Sequence, residues 1–335
     1  MEASDAVSQI DAIVEEEDTF PELPHELWMC IFRTLKSIER RGWLTGVCAT
    51  WRSAIWQEEA HVRFMHEGTK RRFKASASNP MVEVHGGEIT AAVLLKARRG
   101  PVRSIEACGT TLVPAVAQRI VPELLGAGCS LIELDLSGAK LVAEPPSLQF
   151  SWANFGEAAV CSEVLRELDM WNCGLQGPLP ELRLPALEIL RLSGNNLTGG
   201  LEPIQGCPAL QVLWLHDNQL AGGLEPLSCC TALRQLWLYN NHLTGGLEPL
   251  HFCTALQDLK LGGETGGNML TGGLDPLRSC TALLEVWLND NQLTGGLQPL
   301  HACTTLQDLW LHRNQLTPTE EDIARLEEQC QRLTL

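Results

Sequence analysis

The chain has 335 residues, 44% of them hydrophobic, and it holds no apolar run near the ~18 residues that a membrane-spanning helix needs. Its formal net charge of −16 repels phosphate backbones and anionic lipid headgroups, so nucleic acid and membrane surfaces are not expected as partners. Basic or neutral protein partners fit this charge better.

Residues 1–19 are predicted to form a disordered acidic tail, because acidic residues dominate them. They lack the basic start and the apolar stretch of a secretory signal, which predicts a cytoplasmic location. The sequence KRRFK at 70–74 would allow nuclear import if it acts as an import signal; a solvated linker is the alternative interpretation.

Residues 20–66 form a segment in which large apolar side chains recur at helical spacing after Pro24. Two such stripes are present: Leu27, Ile31 and Leu35 with Trp28 and Phe32, and then Val47, Trp51 and Ile55. This spacing predicts two helices whose apolar faces must be buried against a partner or another part of the chain.

The pattern in this segment resembles the F-box, the adaptor-binding module of cullin-based ubiquitin ligases. The residues that carry the resemblance are Leu23, Pro24, Leu27, Ile31, Phe32, Leu35, Val47, Cys48 and Trp51. The resemblance implies that these residues bind the ligase adaptor subunit. One departure is Arg41-Gly42, where F-boxes usually carry a leucine pair. The alternative is a helical hairpin that only caps the domain after it.

Residues 67–101 are predicted to form a linker and an N-terminal cap. The strand-like segments VEV (82–84) and SIEA (104–107) alternate here with EITAAVLLKARRG, which has the composition of a helix. These elements would start the repeat array that follows.

Residues 102–316 contain an internal repeat with the form LxxLxLxxNxL. Clear units start at Leu187, Leu210, Leu233, Leu256, Leu283 and Leu306, and weaker ones at Val102, Leu131 and Leu165. The clear starts advance by 23 residues, except for one step of 27 that carries the insertion GGETGGN at 262–268. Each unit offers a short strand, an asparagine for the turn, and glycine and proline for the return of the chain.

This array resembles a leucine-rich repeat solenoid, and its LTGGLEPL connections resemble the LTG-type repeats of plants and algae. The resemblance implies an α+β fold: a curved parallel sheet with short convex connections, an N-terminal helical F-box-like module and a C-terminal capping helix. An F-box followed by such repeats is the architecture of a substrate receptor, which links a target protein to an SCF-type ubiquitin ligase. An adaptor-free scaffold or recognition protein is the alternative.

Residues 317–335 are predicted to form that capping helix. Thr317-Pro318-Thr319-Glu320 has the pattern of a capping box with proline at the first helical position. Ile323, Leu326, Cys330 and Leu333 would then share one face and cover the last repeat.

The residue between the second and third leucines of each unit should lie on the solvent-facing, concave side of the sheet, because side chains alternate along a strand. This position, with the one two residues later, predicts a partner-binding stripe. Its members are Trp171, Trp214, His216, Trp237, Tyr239, Lys260, Trp287, Trp310 and His312. The alternative is a by-product of repeat duplication that merely stiffens the sheet.

Acidic residues outnumber basic ones along this face by ten to five. A protein partner with a basic or apolar segment is therefore expected, and a multiply phosphorylated one is not.

The thirteen cysteines include no CxxC pair, and six of them, Cys207, Cys230, Cys253, Cys280, Cys303 and Cys330, recur with the repeat. Reduced, buried thiols are therefore predicted and no metal site. We found no P-loop, GxGxxG, HExxH or GxSxG motif. The sequence predicts a non-catalytic protein without a cofactor.

Overall fold

The structure, a computed structural model, describes residues 61–65, 81–85, 104–106, 125, 131–139, 160–263 and 267–335. The predicted acidic tail and the F-box-like residues Leu23 to Trp51 lie outside these ranges, as does most of the segment 67–101. The described part of the chain consists of the repeats, a few strands ahead of them and the C-terminal cap.

Short parallel strands form one continuous sheet through the described repeats. The strands are His61–Met65, Met81–His85, Ser104–Glu106, Glu133–Asp135, Glu167–Asp169, Ile189–Arg191, Val212–Trp214, Gln235–Trp237, Asp258–Lys260, Glu285–Trp287, Asp308–Trp310 and Arg332–Thr334. From Ser104–Glu106 onward their order in the sheet follows the chain, as expected when each repeat adds one strand.

The sheet starts earlier than the sequence predicted. His61–Met65 pairs with Ser104–Glu106 on one side and with Met81–His85 on the other. The sequence predicts instead that residues 61–65 belong to the helical F-box-like module and that the repeats start at Val102. Apolar residues alternate over only five positions here, which is too short a pattern to separate from the helical stripe before it.

The core lies on one side of the sheet and consists of leucines contributed by every repeat. In the repeat that begins at Leu233, the leucines at 236, 238, 243 and 247 are also completely buried. Each buried leucine stabilises the fold by about 1.5–3 kcal/mol relative to an exposed one. Because these side chains contact leucines of the repeats before and after, no repeat could bury its core alone.

Five-residue 3-10 helices connect the repeats on the convex side, as the sequence predicted. They are Glu202–Gly206, Glu225–Cys229, Glu248–Phe252, Asp275–Ser279 and Gln298–Ala302, each with proline in the first turn. The preceding glycine, such as Gly245 with φ +81°, adopts a left-handed backbone conformation that other residues rarely accept.

A second set of short strands, not predicted from the sequence, lies between the concave sheet and the 3-10 helices. Its members are Gln176–Pro178, Asn196–Thr198, Ala221–Gly222, His242–Gly245, Met269–Leu270, Thr294–Gly295 and Gln315–Leu316. They pair in parallel between neighbouring repeats, and Val160–Cys161 pairs likewise with Leu182–Arg183. These pairings satisfy backbone groups that the turns would otherwise leave unpaired.

The repeat asparagines join each turn to the repeat before it. The Nδ2 group of Asn241 donates to the carbonyl oxygens of Leu238 and Leu215, both at 3.0 Å, and its Oδ1 accepts from the N–H of Leu220 at 2.9 Å. Equivalent bonds are made by Asn195, Asn218, Asn268, Asn291 and Asn314. The hydrogen bonds predicted within each turn therefore also connect neighbouring repeats, in a row that we call the asparagine row.

The 27-residue repeat keeps the asparagine row in register. Asn268 donates to the carbonyl of Leu261, seven residues earlier, whereas the other asparagines bond to a residue three positions earlier. The four extra residues therefore lie between Leu261 and Asn268, as the sequence predicted.

The cysteine column is buried and unoxidised. Cys207, Cys230, Cys253, Cys280 and Cys303 are completely buried free thiols. Each of the last four donates to the carbonyl of the preceding cysteine in the column, at 3.4–3.6 Å. Burial raises the pKa of the Cys253 thiol to about 12, so it stays protonated at neutral pH.

The C-terminal cap is a helix followed by a strand. The helix Glu320–Gln329 follows a capping box formed by Thr319 and Asp322. The sequence predicts the N-cap at Thr317, but the helix starts two residues later because the side chains of Thr319 and Asp322 each accept from the other's backbone N–H. Leu326 is buried against the last repeat. Leu333, predicted on the helix, lies instead in the strand Arg332–Thr334, which extends the sheet.

Candidate partner-binding face

Six side chains stack in one row on the side of the sheet opposite the leucine core, which we call the concave face. The row, here named the ladder, consists of Arg191, Trp214, Trp237, Lys260, Trp287 and Trp310, one from each of six neighbouring strands. The middle residue of each of these strands is fully buried, as Leu236 is, while the tryptophans beside them are half-buried. The strand register inferred from the sequence is therefore the observed one.

The rings and cations of the ladder contact each other face to face. The ring centroids of Trp214 and Trp237 are 4.3 Å apart with planes 6° from parallel, and those of Trp287 and Trp310 are 5.0 Å apart at 19°. The Lys260 ammonium lies 4.5 Å from the centroid of Trp237 and 4.2 Å from that of Trp287. The strand spacing of about 4.8 Å in a parallel sheet sets these distances.

The ammonium of Lys260 is enclosed by the ladder. The residue is only 8% exposed and its Nζ is 2.8 Å from a carboxylate oxygen of Glu285. The sequence predicts Lys260 as a partner-contacting residue of the stripe, but its charge is already paired inside the protein. Cation–π contacts of this kind contribute about 0.5–2 kcal/mol each, so the lysine connects the two tryptophan pairs.

Arg191 completes the ladder at its other end, with its guanidinium 4.8 Å from the Trp214 ring. Arg191 was missing from the predicted site although it occupies the same position in the repeat. Because most ring faces in the ladder are covered by a neighbour, the tryptophans present mainly their edges to a partner.

A second row of side chains runs beside the ladder. Ser193, His216 and Tyr239 are consecutive members, with His216 stacked on Tyr239 at a centroid distance of 4.4 Å. Burial lowers the pKa of His216, so the ring is neutral at neutral pH. Together with Trp214 and Trp237, the rings of His216 and Tyr239 form a four-ring aromatic patch.

Ser193 and His216 resemble part of a hydrolase triad. The Ser193 hydroxyl is 2.9 Å from Nδ1 of His216, and Nε2 of His216 is 3.8 Å from the carboxylate of Asp217. The Ser193 side chain is completely buried, so it cannot reach an external substrate as a nucleophile. The hydroxyl instead fixes the orientation of the histidine ring.

Trp171 and His312 lie near opposite ends of this second row. Trp171 is 49% exposed, the largest exposed fraction among the predicted stripe residues. His312 lies beside Trp310, with the two ring planes tilted by 46°, and its Nε2 is 3.8 Å from a carboxylate oxygen of Asp290. All nine predicted stripe residues therefore fall on one face.

Most basic residues of the concave face already pair with carboxylates. Arg191 contacts Glu167 at 2.6 Å and Asp169 at 3.4 Å. Similar pairs join Arg166 to Glu188, Lys260 to Glu285, and Arg313 to Asp290. Since the acidic residues are in excess, this pairing leaves the face with net negative charge.

Asp169 is the concave carboxylate with the largest perturbation among the described residues. Burial raises its pKa to about 6, and the nearby Asp135 carboxylate adds to the rise, against the opposing effect of Arg191. The group therefore takes up a proton under mildly acidic conditions.

Asp169→Asn should raise the free energy of unfolding by about 2 kcal/mol at pH 8 and leave it nearly unchanged at pH 4. The native pKa is higher than the unfolded one, so the ionised group lowers stability as pH rises through about 6. Asparagine keeps the acceptor for the backbone N–H of Trp171. Urea unfolding at both pH values measures the difference; a loss of stability at pH 8 would contradict this account.

The fold and the ladder define a class of protein: a parallel-sheet repeat solenoid of the kind that typically serves as a non-enzymatic recognition scaffold. Residues 185–229 and 208–250 match the family model described as Leucine Rich repeats (2 copies), so these units are leucine-rich repeats. A comparison with curated proteins found no match. No helix among the described residues meets the length and apolarity needed to span a bilayer.

Several solved structures share this fold. The PEPR1–AtPEP1 crystal structure aligns with a TM-score of 0.60 and 23% identity over 77% of this chain and 35% of that one. The Arabidopsis receptor kinase HAESA ectodomain, solved in complex with an IDA peptide hormone, gives 0.58 and 22% over 77% and 42%. A Leptospira interrogans leucine-rich repeat protein gives 0.54 and 19% over 74% and 58%. The chain spans less than two thirds of each of these proteins, and the identities show a shared fold alone.

Proposed function

We propose that the protein is a non-catalytic recognition protein that holds a partner protein on its concave face. The observation that carries this proposal is the ladder, in which four tryptophans and two cations stack across six neighbouring strands. Half-buried tryptophan and tyrosine are the side chains most enriched in interface hot spots. The negative charge of the face favours a partner segment with basic and apolar residues.

Two of the similar structures support a polypeptide partner, since HAESA is described in complex with a peptide hormone and PEPR1 with AtPEP1. We therefore place the partner along the ladder and the second row. The contacts would be Trp171, Trp214, His216, Trp237, Tyr239, Lys260, Trp287, Trp310 and His312. Lys260 would act indirectly in this set by holding the two tryptophan pairs together.

The finer proposal is that the protein is a substrate receptor of an SCF-type ubiquitin ligase. The F-box-like pattern of residues 20–56 supports it, with Leu23, Pro24 and Ile31 on the adaptor-facing helices and ubiquitin transfer on other subunits. The family match lies entirely within the repeats, so an adaptor-free recognition scaffold is the second candidate.

We expect full-length protein to co-purify with the ligase adaptor subunit, and deletion of residues 20–56 to abolish this. The deletion should leave the repeats folded, because the described leucine core, from Leu125 onward, lies well after the deleted segment. Pull-down with purified adaptor, with circular dichroism as the folding control, measures both effects.

Two outcomes would favour the second candidate. If full-length protein never captures the adaptor, the protein acts without the ligase. If the deletion unfolds the repeats, residues 20–56 serve as a cap instead.

A further inference from the structure

The ladder repeats with a period of three. Its order along the sheet is Arg191, Trp214, Trp237, Lys260, Trp287, Trp310, so a cation precedes each tryptophan pair. Lys260 also follows the first pair and covers the outer face of Trp237. Continued by one position, the same order would place a third cation after Trp310.

The position after Trp310 holds Thr334. The strand Arg332–Thr334 pairs with Asp308–Trp310 so that Thr334 lies directly beside Trp310, and Leu333 points to the core. Thr334 is exposed and its side chain is too short to cover an indole ring. Within residues 267–335, the rings that contact Trp310 are Trp287 on its inner face and His312 at a tilt. Among the described residues, no ring or cation lies against its outer face, which is beside Thr334.

A carboxylate lies next to this open face. Asp308 is two residues before Trp310 on the same strand and therefore on the same side of the sheet. The guanidinium nearest to it belongs to Arg332, at 3.7 Å, and that side chain is 72% exposed. The Asp308 side chain is 19% exposed, and 3.7 Å is too long for a hydrogen bond, so Arg332 leaves this carboxylate able to accept from a second cation.

We propose that the outer face of Trp310, with Asp308, binds an arginine or lysine side chain of the partner polypeptide. This cation completes the repeating order of the ladder and fixes which end of the concave face receives the basic part of the partner. The inference rests on the proposed function and adds the chemistry and position of one contact.

The test uses the full chain and two short peptides, acetyl-Gly-Arg-Gly-amide and its neutral counterpart with citrulline in place of arginine. Indole N–H signals observed by NMR report binding, and the Trp310 signal is assigned by its loss in Trp310→Phe. We expect the arginine peptide to shift the Trp310 signal saturably and the citrulline peptide to have little effect.

Two matched variants test whether the open face is the site. Thr334→Arg supplies the missing cation from the protein itself, whereas Thr334→Gln adds a neutral chain. We expect Thr334→Arg to bind the arginine peptide about threefold to fivefold more weakly than Thr334→Gln, and to melt at a higher temperature. Both changes are at an exposed position and should fold.

Equal shifts from the two peptides, or equal peptide affinity of the two variants, would overturn the inference. A second measurement, partner binding by ladder variants, separates failure of this inference from failure of the proposed function. If Trp237→Ala still weakens binding of a partner protein, only the Trp310 contact is wrong. If no ladder variant affects partner binding, the concave-face function itself fails.

Discussion

Asn241→Ala should lower the free energy of unfolding by about 2–4 kcal/mol, because it leaves one buried backbone N–H without a partner and removes hydrogen bonds that join two repeats. The side chain is 3% exposed and serves two repeats at once. Its loss would leave the N–H of Leu220 without a partner and remove two hydrogen bonds to the carbonyl oxygens of Leu215 and Leu238. Each of these oxygens keeps one donor, Asn218 and Asn268 respectively. Urea unfolding followed by circular dichroism measures the change.

Asn314→Ala is the matched control for that effect. Asn314 makes the same bonds in the last repeat, where its side chain is only half-buried and water can replace it. A smaller loss is expected there. If Asn241→Ala lowers the free energy of unfolding by less than about 1 kcal/mol, the asparagine row does not hold the repeats together as described.

Trp237→Ala should weaken partner binding by about 2 kcal/mol or more, as expected for the central residue of an aromatic contact surface. It is stacked on Trp214 at 4.3 Å on one side and covered by Lys260 at 4.5 Å on the other. Loss of these contacts should lower stability by only about 1–2 kcal/mol, because the ring is half-buried and outside the leucine core. Calorimetric titration with a purified partner and thermal melts measure the two effects.

Phe252→Ala is the control for Trp237→Ala. Phe252 is 54% exposed at the end of a convex 3-10 helix, so its removal takes away an exposed ring far from the ladder. Binding should not change. A stability loss of about 3–5 kcal/mol for Trp237→Ala would instead indicate a core residue and remove the basis for the binding surface.

The sequence predicts the repeat core well because a fixed period assigns each position to one side of the sheet. Leu236 and Trp237 are adjacent in sequence, and the strand alternation alone separates the buried one from the one on the concave face. The cysteine column and the asparagine turns follow from the same period. For this reason the nine stripe residues were predicted on one face.

Other features depend on contacts between strands that a single repeat does not reveal. Burial of Lys260 arises from tryptophans on both neighbouring strands and from Glu285, and the sequence pattern shows only that a lysine interrupts the column. The second strand set is two to four residues per strand, too short for a pattern of alternation. The cap differs because the helix starts after the capping box of Thr319 and Asp322, two residues beyond the N-cap predicted at Thr317.

The central claim is that the partner lies on the concave face, and site-specific photo-crosslinking tests it most directly. A photoreactive phenylalanine analogue replaces Tyr239 beside the ladder in one variant and Phe252 on the convex side in the other. We predict a partner crosslink from position 239 that unlabelled wild-type protein competes away, and none from position 252. A crosslink from position 252 with none from position 239 would contradict the account.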